Sequence, residues 1–229
     1  AAWREHLDRL GRRRRALDRL APAAIRFHGN GTDLTLPMLE GGRWLSGGLV
    51  AANGVTFLPN LPTEEVYGTP HLGRGDGVVR ATRPLPAPGG SLVEDLVLRI
   101  SGGRIVEVHA SRNADVVRRE LEQDAQAAYL GEVAIVDESS GVWESGLVFH
   151  DTLYDENAGC HIAYGLAYEA TLPELEGADA ETRMAAGLNV STVHTDVVIG
   201  GPEVDVDAID GSGRALPLIR GNRWVLGED

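Results

Sequence analysis

Apolar residues first recur at helical spacing: Trp3, Leu7, Leu10, Leu17 and Leu20 share one face of a predicted helix that Pro22 ends. From Ile25 the period shortens to strand-like runs punctuated by glycine, "IRFHGNGTDLTLPM", "GGLVAANGVTFLPN", "GVVRATRPL" and "SLVEDLVLRISGGRIVEVHA". The stretch "LVLRISGGRIVEVHA" predicts a hairpin that turns at Gly102 and Gly103. Helical spacing returns at Val117, Leu121, Ala125 and Ala128, with Asn113 as the expected cap and Gly131 as the expected stop before the strand "EVAIV". A further helix is predicted over 158–168, entered through Asp155 or Asn157. An acidic loop "LPELEGADAE", the strand "STVHTDVVIG" and β-like segments toward Trp224 complete the pattern.

These elements predict an α+β domain with a mixed, largely antiparallel sheet and a few helices. Residues 1–24 form an N-terminal amphipathic helix or connection, and 25–229 form one domain. "LPAPGG" is the only Pro/Gly-rich stretch and is too short to link two domains. The chain begins "AAWREHL", without methionine, as a fragment would.

Composition narrows the function. All 21 basic residues are arginine, so Schiff-base and P-loop lysine chemistry are excluded. Residues 1–20 hold seven Arg against Glu5, Asp8 and Asp18, a balance of +4, which leaves −17 of the net −13 for the rest. So acidic a body disfavours nucleic acid as a partner despite the "RRRR" at Arg12–Arg15, which instead suits a solvated face or a contact with an acidic surface. The single Cys160 fits a reducing compartment, and no apolar run approaches the ~20 residues of a membrane span. With no signal peptide visible, a cytoplasmic protein without a membrane partner is expected.

Four units carry candidate chemistry. In the strand "VHTDVV", His194 and Asp196 are two apart and point to the same side, as two metal ligands or as a histidine with its orienting acid. On the helix predicted over 158–168, His161 and Tyr168 fall seven apart on one face, an imidazole with a hydroxyl that can donate to an oxyanion. In "PNLPTEEVYGTP", Pro59, Pro62 and Pro70 hold the chain extended and send Glu64 and Glu65 different ways, so one can ligate metal while the other handles protons. Glu132 opens "EVAIV". Each unit also has an ordinary structural reading: an edge-strand face, a core histidine, an acidic loop, a water-facing strand end. Together, two histidines and at least three carboxylates suit a pair of divalent cations, in a peptide-bond hydrolase or a phosphoesterase.

Three segments, "NLPTEEVYGTP", "TLYDENAGCHIAYG" and "NVSTVHTDVVIG", in this order and spacing, strongly resemble the thermophilic-type metalloaminopeptidases, the family of aminopeptidases T and S. "GTDLTL" and Gly131-Glu132 also match its pattern, and the resemblance runs from about Ile25 to the C-terminus. It implies a dinuclear exopeptidase acting on peptides with a free N-terminus, with zinc or cobalt as the expected ions and manganese or magnesium as further candidates. The implied metal ligands are Glu65, Glu132, His161, His194 and Asp196. Tyr168 is placed in catalysis, and Glu64 is the candidate general base, although the motif alone leaves the roles of Glu64 and Glu65 exchangeable. A homodimer is implied, together with a large N-terminal domain of which this chain holds almost nothing. "HTDVVIGG" departs from the family in carrying threonine and valines beside the ligands, and it keeps both ligands. A catalytically idle chain that uses the metals as a structural clasp, or binds partners through its Arg-rich helix, is the expectation from a different class.

Overall fold

The computed structural model describes residues 2–87 and 90–227; residues 88–89 of "LPAPGG" lie outside them. In chain order the elements are α1 (Ala2–Leu20), β1 (Ala24–Gly29), β2 (Thr32–Pro37), β3 (Leu45–Ser46), β4 (Leu49–Val50), β5 (Thr56–Phe57), β6 (Val66–Gly68), β7 (Asp76–Arg80), β8 (Leu85–Ala87) and β9 (Ser91–Val93). Next come β10 (Val97–Ser101), β11 (Arg104–His109), α2 (Ala114–Leu121), β12 (Leu130–Ile135), α3 (Gly141–Ser145), α4 (Thr152–Asp155) and β13 (His161–Gly165). The chain closes with α5 (Ala180–Ala185), β14 (His194–Val198), β15 (Asp205–Ile209), β16 (Ala215–Arg220) and β17 (Arg223–Trp224).

Two antiparallel sheets dominate. The larger has eight strands in the order β11-β10-β7-β2-β1-β15-β16-β17, and the smaller has five, β14-β13-β12-β6-β3. Register aligns apolar positions in the large sheet: Phe27 lies opposite Leu34 and Val206, and Ile25 lies opposite Leu36 and Ala208. Its other face carries Arg26, Asp33, Arg99 and Glu107, which pair in water. The apolar face joins Val133, Ile135, Ile162, Tyr164 and Val197 of the small sheet in one core cluster. Each such side chain, fully buried, contributes roughly 1.5–3 kcal/mol.

Helix α1 forms as its spacing predicts and ends where Ala21 turns to a positive φ before Pro22. Leu10 and Leu17 enter the core. Arg13, from the "RRRR" run, is buried too, donating to both carboxylate oxygens of Asp137 at 2.8 and 2.9 Å while stacking over Trp224. That arginine's acidic surface thus lies within its own chain. No helix among the described residues is long and apolar enough to cross a membrane.

The fold class is as expected, and three local expectations are corrected. The helix after Asn113 stops at Leu121, and the Asp124 carboxylate organises the turn beyond it, accepting from Gln126 N and Thr192 N. Asn113 adopts a left-handed conformation and donates its amide to Leu92 O instead of capping. The largest correction concerns 158–168, which is not a helix. A short turn at Thr152–Asp155, capped by Asp151, and a 3-10 turn at Glu156–Ala158 precede the strand β13. "HIAYG" is buried on both faces between β12 and β14, so sheet pairing overrides its helical spacing.

Candidate metal centre

Strand alternation builds the site on the face of the small sheet turned away from the core. On β14, His194 and Asp196 point together, as the H-x-D spacing predicts; Asp196 lies opposite Ala163 and His194 opposite Gly165. On β13, His161 and Ala163 share that face, while Ile162 and Tyr164 go to the core. Glu132 reaches it through a bulge in β12: Leu130 pairs with Tyr164 but Glu132 with Ala163, so the extra residue, Gly131, flips the alternation. A Cβ at Gly131 would run into the carbonyls of Gly165 and Leu166, which is why glycine precedes this glutamate. Ala134 and Ala163, both fully buried, keep the centre of the face open beneath the longer side chains.

Two triads result, Glu65–Glu132–His161 and Glu132–His194–Asp196, each with its ligand atoms within 4.8 Å of one another. Glu132 belongs to both. His161 Nε2 lies 3.0 Å from Glu65 and 3.8 Å from Glu132; His194 Nε2 lies 3.6 Å from Glu132 and 3.4 Å from Asp196. Each imidazole has its Nδ1 on a backbone carbonyl, Gly159 O at 3.1 Å and Leu166 O at 2.9 Å. That contact assigns the proton to Nδ1 and turns the Nε2 lone pair into the cluster. Buried Glu65 Oε2, Glu132 Oε2 and His161 Nε2 lack a well-aligned hydrogen-bond partner. Orphaned acceptors on so polar a buried face fit a cation.

Electrostatics agree. Burial, reinforced by the charges of Glu65 and Asp196 and opposed by His161, pushes the Glu132 carboxyl up to about 7. Burial and the Asp196 charge carry Glu156 up to about 9. Burial alone would depress the histidines, yet carboxylate partners raise His194 to about 9 and His161 well above its ordinary value. Without metal, protons hold this cluster of acids together.

The triads lie in a cleft of about 360 Å³, walled by residues including Leu45, Leu49, Tyr67, Glu156 and Tyr168. Tyr168 reaches the site although it is not on a helix with His161: its ring stands 4.9 Å from that of His194 and 5.8 Å from that of Tyr67. Sequence reasoning missed two cleft residues. Tyr67 follows Glu65 by two, the strand spacing that puts both on one side. Glu156 stands in "YDENAG" between Asp155 and Asn157, the two expected helix-entry residues; there Asp155 accepts from Phe149 N and Asp151 N, and Asn157 accepts from Glu64 N.

Glu64 and Glu65 do diverge, as their extended segment predicts. Glu65 enters the cluster. Glu64 faces the other way, against Gly141 N at 3.4 Å and near His6 and Arg9, and does not line the cleft. Cys160 is buried, with its thiol on Val136 O.

The sequence pattern of the thermophilic metalloprotease (M29) family matches residues 1–224. Aminopeptidase T of Thermus thermophilus is 44% identical over 226 residues, covering 99% of this chain and 55% of the relative. Aminopeptidase PepS of Streptococcus thermophilus is 38% identical over 225 residues, 98% of this chain and 54% of the relative. The solved structure of wild-type AmpT from Thermus thermophilus superimposes with a TM-score of 0.91 at 43% identity, over 98% of this chain and 55% of that one. A 2,5-dihydroxypyridine dioxygenase from Pseudomonas putida, 13% identical with a TM-score of 0.64 over 95% of this chain and 60% of its own, shares the fold alone. The chain spans about half the length of the curated relatives it matches. On pattern, identity and superposition, the chain belongs to the thermophilic metalloprotease (M29) family.

Proposed function

We propose that this chain carries the catalytic centre of an aminopeptidase that removes N-terminal residues from peptides with the help of two divalent cations. The observation that carries this reading is the pair of triads sharing Glu132. Glu65, Glu132 and His161 would hold one ion, and Glu132, His194 and Asp196 the other. Charge supports the number: Glu65, Glu132, Glu156 and Asp196 with two neutral imidazoles sum to −4, which two divalent cations cancel. Mixed imidazole and carboxylate donors suit zinc or cobalt, with manganese and magnesium as further candidates. When bound, such ions acidify a water and polarise a carbonyl.

The chain's own groups supply the rest. Glu156, the cleft carboxyl outside both triads, takes the proton of the attacking water at its Oε atom and passes it to the leaving amine. The base role expected of Glu64 moves to Glu156 because Glu64 faces away from the cleft. Tyr168, its hydroxyl held protonated by burial and by the Glu132 and Asp196 charges, donates to the oxyanion of the tetrahedral intermediate. A homodimer in a reducing, cytoplasmic setting belongs to the same proposal, and light scattering tests the oligomer.

The direct assay is hydrolysis of a leucyl chromogenic amide, with a phosphate ester in parallel. Loss of amide hydrolysis in chelator and recovery with zinc or cobalt are expected. Full activity in excess chelator, or preference for the phosphate ester, contradicts the proposal.

A further inference from the structure

Helix α1 packs on β6, the strand that Glu65 immediately precedes, and on its neighbour β3. Its Leu7 and Leu10 lie against the Gly47 position, and Asp18 accepts from Trp44 N at 2.9 Å. The decisive contact is polar: His6 Nε2 donates to the carbonyl of Thr63 at 2.6 Å, two residues before Glu65. Arg9 Nη2 donates to His6 Nδ1 at 3.0 Å, which makes Nδ1 the acceptor and leaves Nε2 as the donor. Glu64 lies 3.8 Å from His6 and 4.0 Å from Arg9, on the same side. Its backbone N donates to Asn157 Oδ1 at 2.8 Å. Residues 63 and 64 are thus gripped from both flanks, by α1 through His6 and by the "YDENAG" segment through Asn157. His194 and Asp196, by contrast, are set by the β13–β14 ladder itself.

We propose that His6 is a positioning residue for Glu65, so that α1 sets the affinity of the Glu65–Glu132–His161 end of the centre and leaves the Glu132–His194–Asp196 end unaffected. The inference rests on the two-metal reading. The physical reason is asymmetry of support: Glu65 precedes the three-residue strand β6, outside its ladder, whereas His194 and Asp196 lie within a five-residue one. A ligand outside a ladder takes its direction from whatever holds the backbone beside it.

The test is cobalt titration of the metal-free chain, followed by calorimetry and by the visible absorption of the bound ion, so that hydrolysis is not the readout. His6→Phe keeps the ring's bulk and loses the donor; one of the two sites should weaken at least about tenfold while the other stays within about twofold. His6→Gln, whose amide can still reach the Thr63 carbonyl, should restore the weakened site. Should the phenylalanine variant fail to fold, His6→Asn, polar but too short to reach, carries the same expectation. Placement comes from two backgrounds: with Asp196→Asn, His6→Phe should weaken the remaining site, and with Glu65→Gln it should not. Unchanged affinities, equal weakening of both sites, or no rescue by glutamine would overturn the proposal with the two-metal reading intact. Failure of the unsubstituted chain to take up two cobalt ions would instead remove that reading, and this inference with it.

Discussion

The two sheets use one rule for opposite ends. In the eight-stranded sheet, alternation separates the apolar face of Ile25, Phe27, Leu34 and Leu36 from a face of exposed ion pairs. In the five-stranded sheet, it separates the apolar face of Val133, Ile162, Tyr164 and Val197 from buried acids and imidazoles. The first arrangement lowers the free energy of the chain by itself. The second gathers carboxylates that repel one another, a cost that a bound cation repays. Stability and chemistry should therefore respond separately when each sheet is perturbed.

The sharpest separation comes from Glu132→Gln, which removes the carboxylate common to both triads. Metal retention after gel filtration and amide hydrolysis should both vanish. The metal-free variant should nonetheless be more stable than the parent at pH 8. A carboxyl raised to about 7 binds its proton more tightly when folded than when unfolded, so its contribution falls as pH rises through that value. The advantage should be roughly 1–3 kcal/mol at pH 8 and fade near pH 5, as denaturant melts would read. Phe27→Ala breaks the comparison from the other side: about 3–5 kcal/mol lost in the same melts, with metal content per folded molecule unchanged.

Between the sheets stands the Arg13–Asp137 pair, and Arg13→Ala strands a buried carboxylate at a cost of about 3 kcal/mol at neutral pH. Burial would raise Asp137, but Arg13, Ser139 and Trp224 N together hold it below the usual carboxylate range. Its contribution is accordingly present above the unfolded value near 4 and lost as pH falls through the lowered one. Scanning calorimetry from pH 7 to 2 should find the parent losing stability over that acidic window, with Arg13→Ala losing less. The smallest expected effect is Tyr168→Phe, about a hundredfold in kcat with melting temperature and metal content unchanged.

Much of this was legible in the residues because strand chemistry is local. The H-x-D of His194 and Asp196 needed only a period of two, and the divergence of Glu64 and Glu65 needed only an extended backbone. The five implied ligands came from motif wording, since spacing alone cannot say that β6, β12, β13 and β14 lie side by side. The readings that failed did so for physical reasons. "AGCHIAYGLAY" has helical spacing, but both edges of β13 are claimed by sheet neighbours, a tertiary fact absent from its own eleven letters. Gly131 looked like a helix stop, and its use is a bulge imposed by the carbonyls of Gly165 and Leu166. Glu156 was hidden by its good cap-like neighbours.

The central claim is that two cations share Glu132, and an anomalous-difference map of zinc-loaded crystals tests it most directly. Two peaks about 3.5–4 Å apart are expected, one on each side of the Glu132 carboxylate, the first reaching Glu65 and His161 and the second His194 and Asp196. A single peak, or peaks away from Glu132, would contradict it.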